Sequence, residues 1–228
     1  MPQKIVANGC SYTQELYLNK KDRWTTKIGA VDNLALGGGS NERIFYTTIE
    51  YLNHHDPDVV IIGWTSTARF MLPGSNGSRI VITPTHSFDE QIGGDESAIA
   101  EFYYKHCHND YTSLERTLNY IIHLQKVCAL KRIKLLNFTS FLDPLTDAYL
   151  KQLSKDAFMS RVDKDTENMG IRHNHKRLRT LLDLIDKNLW IKEFWYSMAE
   201  HCKSFPLKDD HPNVEGSNHW AKLVSSYL

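Results

Sequence analysis

The stretch Lys4-Ile5-Val6-Ala7-Asn8-Gly9-Cys10-Ser11-Tyr12-Thr13 decides the fold. Its apolar run of three residues has the composition of a strand and stops at the turn-forming pair Asn8-Gly9. A buried strand that ends in such a turn places the next side chain at the carboxyl edge of a sheet, where open α/β folds bind ligands. Cys10 and Ser11 follow this turn, and Ser11 is the candidate nucleophile. Taken alone, the simpler interpretation is that Ser11 only caps the helix that follows.

The size and the charge of the chain narrow the classes of protein to consider. A chain of 228 residues predicts one domain spanning 1–228. Its 27 basic and 27 acidic residues balance, so we expect neither nucleic acid nor a membrane surface as a partner. No signal peptide or membrane-spanning run is visible, and the four cysteines lack paired spacing. These features predict a cytoplasmic protein, and they leave the oligomeric state open.

The rest of the chain alternates between strand and helix patterns. The run Asp58–Gly63 reads as a buried strand, and the periodicity of 111–131 predicts a long helix that leads into a strand over 133–138. This alternation predicts an α/β fold: a three-layer α/β/α sandwich around a central parallel sheet. Residues from about 73 to 110 lose periodicity, and we interpret them as a loop-rich insertion. Further helices are expected near 175–188, 191–202 and 215–227.

Four polar features fall at predicted strand ends or in neighbouring loops. They are Ser11, the glycine-rich loop around Gly38, Thr65, and the segment Asp209-Asp210-His211. A serine hydroxyl needs an adjacent base, usually histidine, to become nucleophilic near neutral pH. An acid close to that histidine stabilises the imidazolium. Backbone N–H groups of a glycine-rich turn are suitable donors to the oxyanion of a tetrahedral intermediate. The combination indicates acyl chemistry.

In the order of these features the chain resembles the SGNH/GDSL hydrolase superfamily. Gly9-Cys10-Ser11-Tyr12-Thr13 is similar to the first block, G-D-S-x-T, and Asn33–Gly38 to the second, N-x-G-x-x-G. Gly63–Ser66 is similar to the third, G-x-N-D, and Asp209–Pro212 to the last, D-x-x-H-P. The variants G-C-S-Y-T and G-W-T-S resemble SGNH-like proteins of tailed phages. That resemblance extends the predicted location to a host cytoplasm or a virion.

The resemblance implies a role for each block. Ser11 would be the nucleophile, His211 the base, and Asp209 the acid that orients it, while Gly38 and Thr65 would bind the oxyanion. It implies neither a cofactor nor a metal. His106, His108, His173 and His175 have the residue types of a zinc site, but they lack a clear third and fourth ligand, so we interpret them as solvated loop histidines.

Three departures of the chain from the family pattern bear on the predicted chemistry. Cys10 occupies the place of the usual aspartate, and Thr65 that of an asparagine whose side chain donates to the oxyanion. Asn41 or Ser66 are candidates to supply the missing donor. The family acid lies three residues before the histidine, which is Lys208 here. Asp209 is preferred to Asp210 because alternate residues of an extended loop share a face.

Two residues near the blocks are candidates for contact with substrate besides Asn41. Asp210 is the acid not assigned to His211. Arg69 follows the third block directly, so it could hold an anionic group or a sugar, or it could simply pair with a carboxylate of the protein. The sequence leaves both readings of Arg69 open.

The function predicted is hydrolysis of small esters, with an O-acetyl group on a glycan as a candidate substrate. Two alternatives stand beside it. The chain could be a catalytically lapsed SGNH-like domain used for binding or assembly in a phage particle, because the third-block asparagine is lost and the acid is shifted. It could also be an acyltransferase, which uses the same serine chemistry but passes the acyl group to an alcohol.

Overall fold

The structure is a computed structural model and describes residues 3–73, 79–84, 95–141, 169–207 and 211–228. Six strands occur in the described ranges: β1 (Ile5–Asn8), β2 (Val31–Asn33), β3 (Val59–Trp64), β4 (Phe70–Pro73), β5 (Arg79–Ile82) and β6 (Lys134–Thr139). The α-helices of these ranges are α1 (Ser11–Gln14), α2 (Trp24–Lys27), α3 (Asn41–His54), α4 (Asp95–Phe102), α5 (Asp110–Lys131), α6 (Met169–Asp183), α7 (Met198–His201) and α8 (Val214–Ser225).

The central sheet is parallel throughout and has the strand order β2-β1-β3-β6. Ile5 of β1 pairs with Val31 of β2 on one side and with Val59 of β3 on the other. The chain passes from β1 to β2 on one side and then from β2 to β3 on the other side of β1, so the direction in which strands are added reverses at β1. Open sheets bind ligands at such a switch point, outside the carboxyl ends of the strands. Ser11 follows β1 at this edge.

The core lies on both faces of the sheet, as the alternation of side chains along its strands requires. One face carries Val6, Val60 and Ile62 and packs against α3 and α5. The opposite face carries Ile5, Ala7, Val59 and Ile61 and packs against the large buried side chains Trp24 of α2 and Trp220 of α8. The predicted three-layer α/β/α sandwich with a central parallel sheet is therefore confirmed.

The helices α3 and α5, which pack on one face of the sheet, begin at side-chain caps. Ser40 accepts a hydrogen bond from the N–H of Arg43 at the start of α3, and Asn109 accepts one from Thr112 at the start of α5. Ile44, Thr48 and Leu52 recur every four residues along α3 and are buried. The helices thus form where capping residues and an apolar stripe coincide.

Asn8 ties the end of β1 to the middle of α3. Its side-chain amide donates to the carbonyl of Ile44 at 3.0 Å and to the hydroxyl of Thr48 at 2.9 Å, and its carbonyl accepts the N–H of Gly9. The side chain is fully buried. These bonds fix the turn from which Ser11 emerges.

Two sequence predictions about secondary structure are corrected. The segment of about 73–110 is not only loop, because its described part contains β5, α4 and a π-helical turn over Tyr103–Cys107, and β5 pairs antiparallel with β4. The helix expected over 191–202 is reduced to α7. Residues before it follow β6 instead, with parallel bridges at Trp190 and Ser197. Lys192 and Trp195 have positive φ angles, which interrupt a helix.

None of the described helices combines the length and the apolar character needed to cross a membrane.

The close approach of β3 to its neighbours gives a first prediction. A Cβ added to Gly63 would lie 2.6 Å from the Phe138 ring and 2.7 Å from Oγ1 of Thr13. We expect Gly63→Ala to lower the free energy of unfolding by about 1–3 kcal/mol, because a filled core has no room for the methyl group. Urea denaturation followed by tryptophan fluorescence measures the change.

Gly37→Ala is the matched control. Its Cβ would meet only the flexible end of Gln14 at 3.3 Å and the Ser11 Cβ at 3.9 Å, and its φ is not positive. It should change the free energy of unfolding by no more than about 0.5 kcal/mol. Equal losses in the two variants would contradict the packing argument.

Candidate active site

Ser11 begins α1 directly after the turn that ends β1. The N–H groups of Thr13 and Gln14 both donate to the carbonyl of Cys10 at 3.0 Å, which turns the chain sharply into the helix. Cys10 is fully buried, whereas Ser11 is partly exposed. Neighbouring side chains at a strand end point to opposite sides, so the turn presents the serine at the surface and packs the cysteine into the core.

His211 meets Ser11 although 200 residues separate them in the chain. The Nε2 atom of His211 lies 2.8 Å from Oγ of Ser11, within hydrogen-bonding distance. The ring packs against Tyr12 and Tyr17, whose ring centroids each lie 4.6 Å from its own. A serine hydroxyl and an imidazole at this distance can transfer a proton directly.

The backbone around His211 is held from both sides. Its carbonyl accepts the N–H of Leu207 at 2.6 Å, and the N–H of Asn213 donates to the carbonyl of Phe205 at 2.8 Å. Asn213 also caps α8 by accepting from Glu215 and Gly216. The ring thus projects from a short paired loop that is anchored to a helix start.

The predicted acids lie outside the described residues. Asp209 and Asp210 both fall in the segment 208–210, as does Lys208 at the usual family position. The acid that orients His211, and the contact of Asp210 with substrate, therefore stay predictions.

The glycine-rich loop lies beside Ser11. Gly38 has a φ of +74°, a left-handed conformation that glycine adopts without strain. The N–H of Gly37 donates to Oε1 of Gln14 at 2.6 Å, which fastens this loop to the helix that carries the serine. Among the described residues, no hydrogen bond uses the N–H of Ser11 or of Gly38. Their predicted role as oxyanion donors stays a prediction.

Thr65 is held by Asn41, which corrects the prediction that Asn41 contacts substrate. Oδ1 of Asn41 accepts the N–H of Thr65 at 2.7 Å, and Nδ2 donates to the Thr65 carbonyl at 3.0 Å and to Oγ1 of Thr117 at 3.2 Å. Asn41 is buried, and both of its N–H donors and its Oδ1 are hydrogen-bonded within the protein, so its place is that of a positioning residue. The buried hydroxyl of Thr65 has no hydrogen-bond partner within the described part of the chain.

Arg69 and Ser66 follow Thr65 in a turn. Oγ of Ser66 accepts the N–H of Ala68 at 3.2 Å, which shapes the turn. Nη1 of Arg69 donates to the Gly39 carbonyl at 3.2 Å, and its guanidinium carbon lies 5.2 Å from the centre of the Phe141 ring. Phe141 in turn lies 5.7 Å from Tyr12, ring centre to ring centre. Arg69 thus lies between the glycine-rich loop and the Phe141 ring, which is connected to His211 through Tyr12.

Sequence reasoning missed several residues that build this site. Gln14, Tyr12, Tyr17 and Phe141 support the loop or surround the imidazole. Gln14 lies three residues after Ser11, which is helical spacing and could have indicated a shared face. The aromatic residues carried no such signal, because only the tertiary structure brings Phe141 next to Tyr12.

Glu15 follows α1 and is fully buried. Its Oε2 accepts the N–H of Trp24 at 2.6 Å, and it has a left-handed φ of +48°. Burial raises the pKa of the Glu15 carboxyl to about 8, against the smaller opposing effects of the Trp24 N–H, Ser217, Lys27 and Arg23. The carboxyl is therefore protonated in the folded protein over much of the neutral range.

Two other features are separate from this site. A cavity of about 810 Å³ opens along the edge of β2, between Arg23 and Thr25 on one side and Tyr51 and His54 on the other, and it includes neither Ser11 nor His211. In the described ranges, no group of three His, Cys, Asp or Glu side chains is arranged to hold a metal ion.

Comparison with known proteins finds the likeness in structure rather than in sequence. No protein-family model matches the chain, and no sequence among curated proteins is significantly similar to it. The chain is similar to the crystal structure of TesA, with a TM-score of 0.53, 11% identity, and coverage of 99% of this chain and 98% of the other.

Two further solved structures show the same likeness. A protein assigned to the lipolytic G-D-S-L family from Desulfitobacterium hafniense DCB-2 has a TM-score of 0.50 at 13% identity, with full coverage of both chains. The psychrotrophic esterase EstA from Pseudoalteromonas sp. has a TM-score of 0.50 at 11% identity and covers 100% of this chain and 99% of its own. The chain therefore has the fold of the SGNH/GDSL hydrolases.

The buried Glu15 predicts a pH-dependent stability. In the unfolded chain the carboxyl ionises near pH 4.5, whereas in the folded protein it ionises near pH 8. The stability that the neutral carboxyl provides is thus complete below about pH 4.5 and is lost as the pH rises towards 8. Glu15→Gln keeps an acceptor for Trp24 and does not ionise, so we expect its stability to increase relative to the wild type over this interval. Chemical denaturation at pH 5, 6, 7 and 8 measures the difference, and a constant difference would contradict it.

The engaged amide of Asn41 gives another prediction. Asn41→Ala leaves the buried N–H and carbonyl of Thr65 without partners, so the free energy of unfolding should fall by about 1–3 kcal/mol. Thr117→Val removes only one 3.2 Å acceptor of that amide together with a hydroxyl bonded to Ser113, and it should cost less. Thermal and urea unfolding of the two variants compare them. An Asn41→Ala protein as stable as the wild type would exclude this positioning role.

Proposed function

We propose that this chain hydrolyses small esters through Ser11, with an O-acetyl group on a glycan as a candidate substrate. The observation that carries the proposal is the 2.8 Å contact between Oγ of Ser11 and Nε2 of His211. A base within hydrogen-bonding distance is what turns a serine hydroxyl into a nucleophile near neutral pH. The hydrolase fold of the chain supports the same reaction class without defining its substrate.

In the proposed mechanism, Ser11 attacks the acyl carbon of the ester while His211 accepts the hydroxyl proton. The tetrahedral oxyanion would be stabilised by the N–H groups of Ser11 and Gly38, with the Thr65 hydroxyl as a third donor. Collapse of this intermediate breaks the bond to the alcohol, which leaves with the proton from His211. Water then attacks the acyl-enzyme while His211 takes a proton from it. Collapse of this second tetrahedral intermediate breaks the bond to Oγ of Ser11, which receives that proton back from His211 as the acid is released. Asp209 is the proposed partner of the imidazolium.

Two features of the site weigh against a lapsed domain that only binds. The His211 ring is turned towards Ser11 rather than away from it. The N–H groups of Ser11 and Gly38 make no hydrogen bond within the described residues, as a working oxyanion site requires. The loss of the third-block asparagine at Thr65 is expected to lower the rate, since one such donor contributes about a hundred- to a thousand-fold.

Labelling with a fluorophosphonate probe tests the proposal. The wild-type protein should react covalently at Ser11, and Ser11→Ala and His211→Ala should lose the labelling, because both the nucleophile and its base are needed. Ser225→Ala, which changes an exposed serine at the end of α8, is the matched control and should label normally. Gel fluorescence and intact-protein mass spectrometry read the result.

Acetate release from an acetylated glycan by the same variants tests the substrate class. A well-folded wild type that neither labels nor releases acetate would exclude the hydrolase and favour the binding domain. Labelling without acetate release would keep the activated serine but reject the O-acetyl substrate.

A further inference from the structure

Arg69 lies at the same edge of the sheet as Ser11 and contacts both sides of the site. On one side its guanidinium donates to the carbonyl of Gly39, the neighbour of the proposed oxyanion donor Gly38. On the other side it faces the Phe141 ring, which packs on Tyr12 beside the imidazole of His211. The cation therefore belongs to the rim of the candidate active site.

The charge of Arg69 is not balanced by an acid in the described part of the chain. No carboxylate there lies within ion-pair distance of its guanidinium, and Nη1 to Gly39 is its one hydrogen bond. A guanidinium has five N–H donors, so several remain for a ligand. The sequence left open that Arg69 pairs with a carboxylate of the protein. Among the described residues, no carboxylate pairs with it.

Two cations elsewhere in the described chain differ from Arg69 because each is paired with an acid. Arg177 pairs with Glu115 at 2.6 Å, and Lys131 pairs with Asp56 at 3.0 Å. Arg116 lies 4.7 Å from the centre of the Phe70 ring and, like Arg69, makes no ion pair with a carboxylate in the described part of the chain. Arg69 is a half-buried cation at the site whose described neighbours are a carbonyl and aromatic rings.

We infer that Arg69 binds an anionic group of the ester substrate, a carboxylate in the simplest case. The inference rests on the proposed esterase function and adds its substrate class. The Gly39 carbonyl accepts one N–H of the guanidinium and the Phe141 ring lies beside it. The N–H groups that remain on a planar guanidinium form a fork that matches two carboxylate oxygens. For a glycan ester, this chemistry selects an acidic sugar. The anion can lie on the alcohol part or on the acyl part of the ester.

Paired esters test the inference. For the alcohol part, 4-acetoxybenzoate is compared with its neutral methyl ester. For the acyl part, monophenyl succinate is compared with phenyl butyrate. Ser11→Ala supplies the background rate for each ester. Arg69→Gln should lower kcat/KM for at least one anionic ester by about tenfold or more, mainly through KM, and change its neutral partner less than twofold.

Two further variants make the test specific. Arg69→Lys keeps the charge without the fork and should retain part of the preference. Arg116→Gln removes a nearby arginine that is stacked on Phe70, and it should leave the ratio of anionic to neutral ester unchanged. An equal effect of Arg69→Gln on the anionic and the neutral member of both pairs would overturn the inference while leaving the esterase proposal intact.

A binding measurement separates this inference from the failure of the proposed function. Benzoate and succinate are titrated by calorimetry into the wild type and Arg69→Gln. Binding that the Arg69→Gln substitution abolishes would support the anion site even if no ester is hydrolysed in a Ser11-dependent way. Absence of binding to the wild type, together with no preference for anionic esters, would overturn it.

Discussion

The site depends on how closely the ends of β1 and β3 approach each other. Gly9 and Gly63 both lack a side chain where Thr13 packs between them, and the Gly63 carbonyl would lie 3.0 Å from a Cβ on Gly9. This narrow contact allows the turn after β1 and the turn after β3 to share one edge. It brings Ser11 and Thr65 into the same region, and Asn41 then fixes the backbone of Thr65 with three hydrogen bonds. The proposed chemistry depends on this close approach of the two backbones, because the approach determines which side chains meet.

Around this edge the protein places polar groups in largely apolar surroundings. The imidazole of His211 lies between aromatic rings, and the carboxyl of Glu15 is buried beneath the helix that carries the serine. Low polarity strengthens hydrogen bonds and raises the energy of unpaired charges. The proposed proton transfer between Ser11 and His211 would benefit from the first effect. An anionic ligand would stabilise the Arg69 cation at the rim, because apolar surroundings raise the energy of an unpaired charge.

Much of the fold could be predicted, and the failures have physical causes. The parallel sheet, α5 and β6 were predicted from apolar runs and from helical periodicity, since those signals are local. The helix expected over 191–202 was wrong because Trp190 and Phe194 have helical spacing but pack from an irregular segment that bridges to β6 at Trp190 and Ser197. The interpretation of 73–110 as loop was too simple, since β5 pairs with β4 and local sequence does not reveal such pairing.

The sequence by itself determined the residue types of the site and their positions after the strands. Ser11, Gly38, Thr65 and His211 could be named because a strand end or a glycine-rich turn is a property of neighbouring residues. Only the tertiary structure decided which of them meet. It brings Ser11 and His211 together across 200 residues. It shows that Asn41, predicted to contact substrate, holds the backbone of Thr65 instead. It leaves Arg69 without an acid partner among the described residues. Contacts of that kind follow from the packing of distant segments, and no short stretch of sequence contains them.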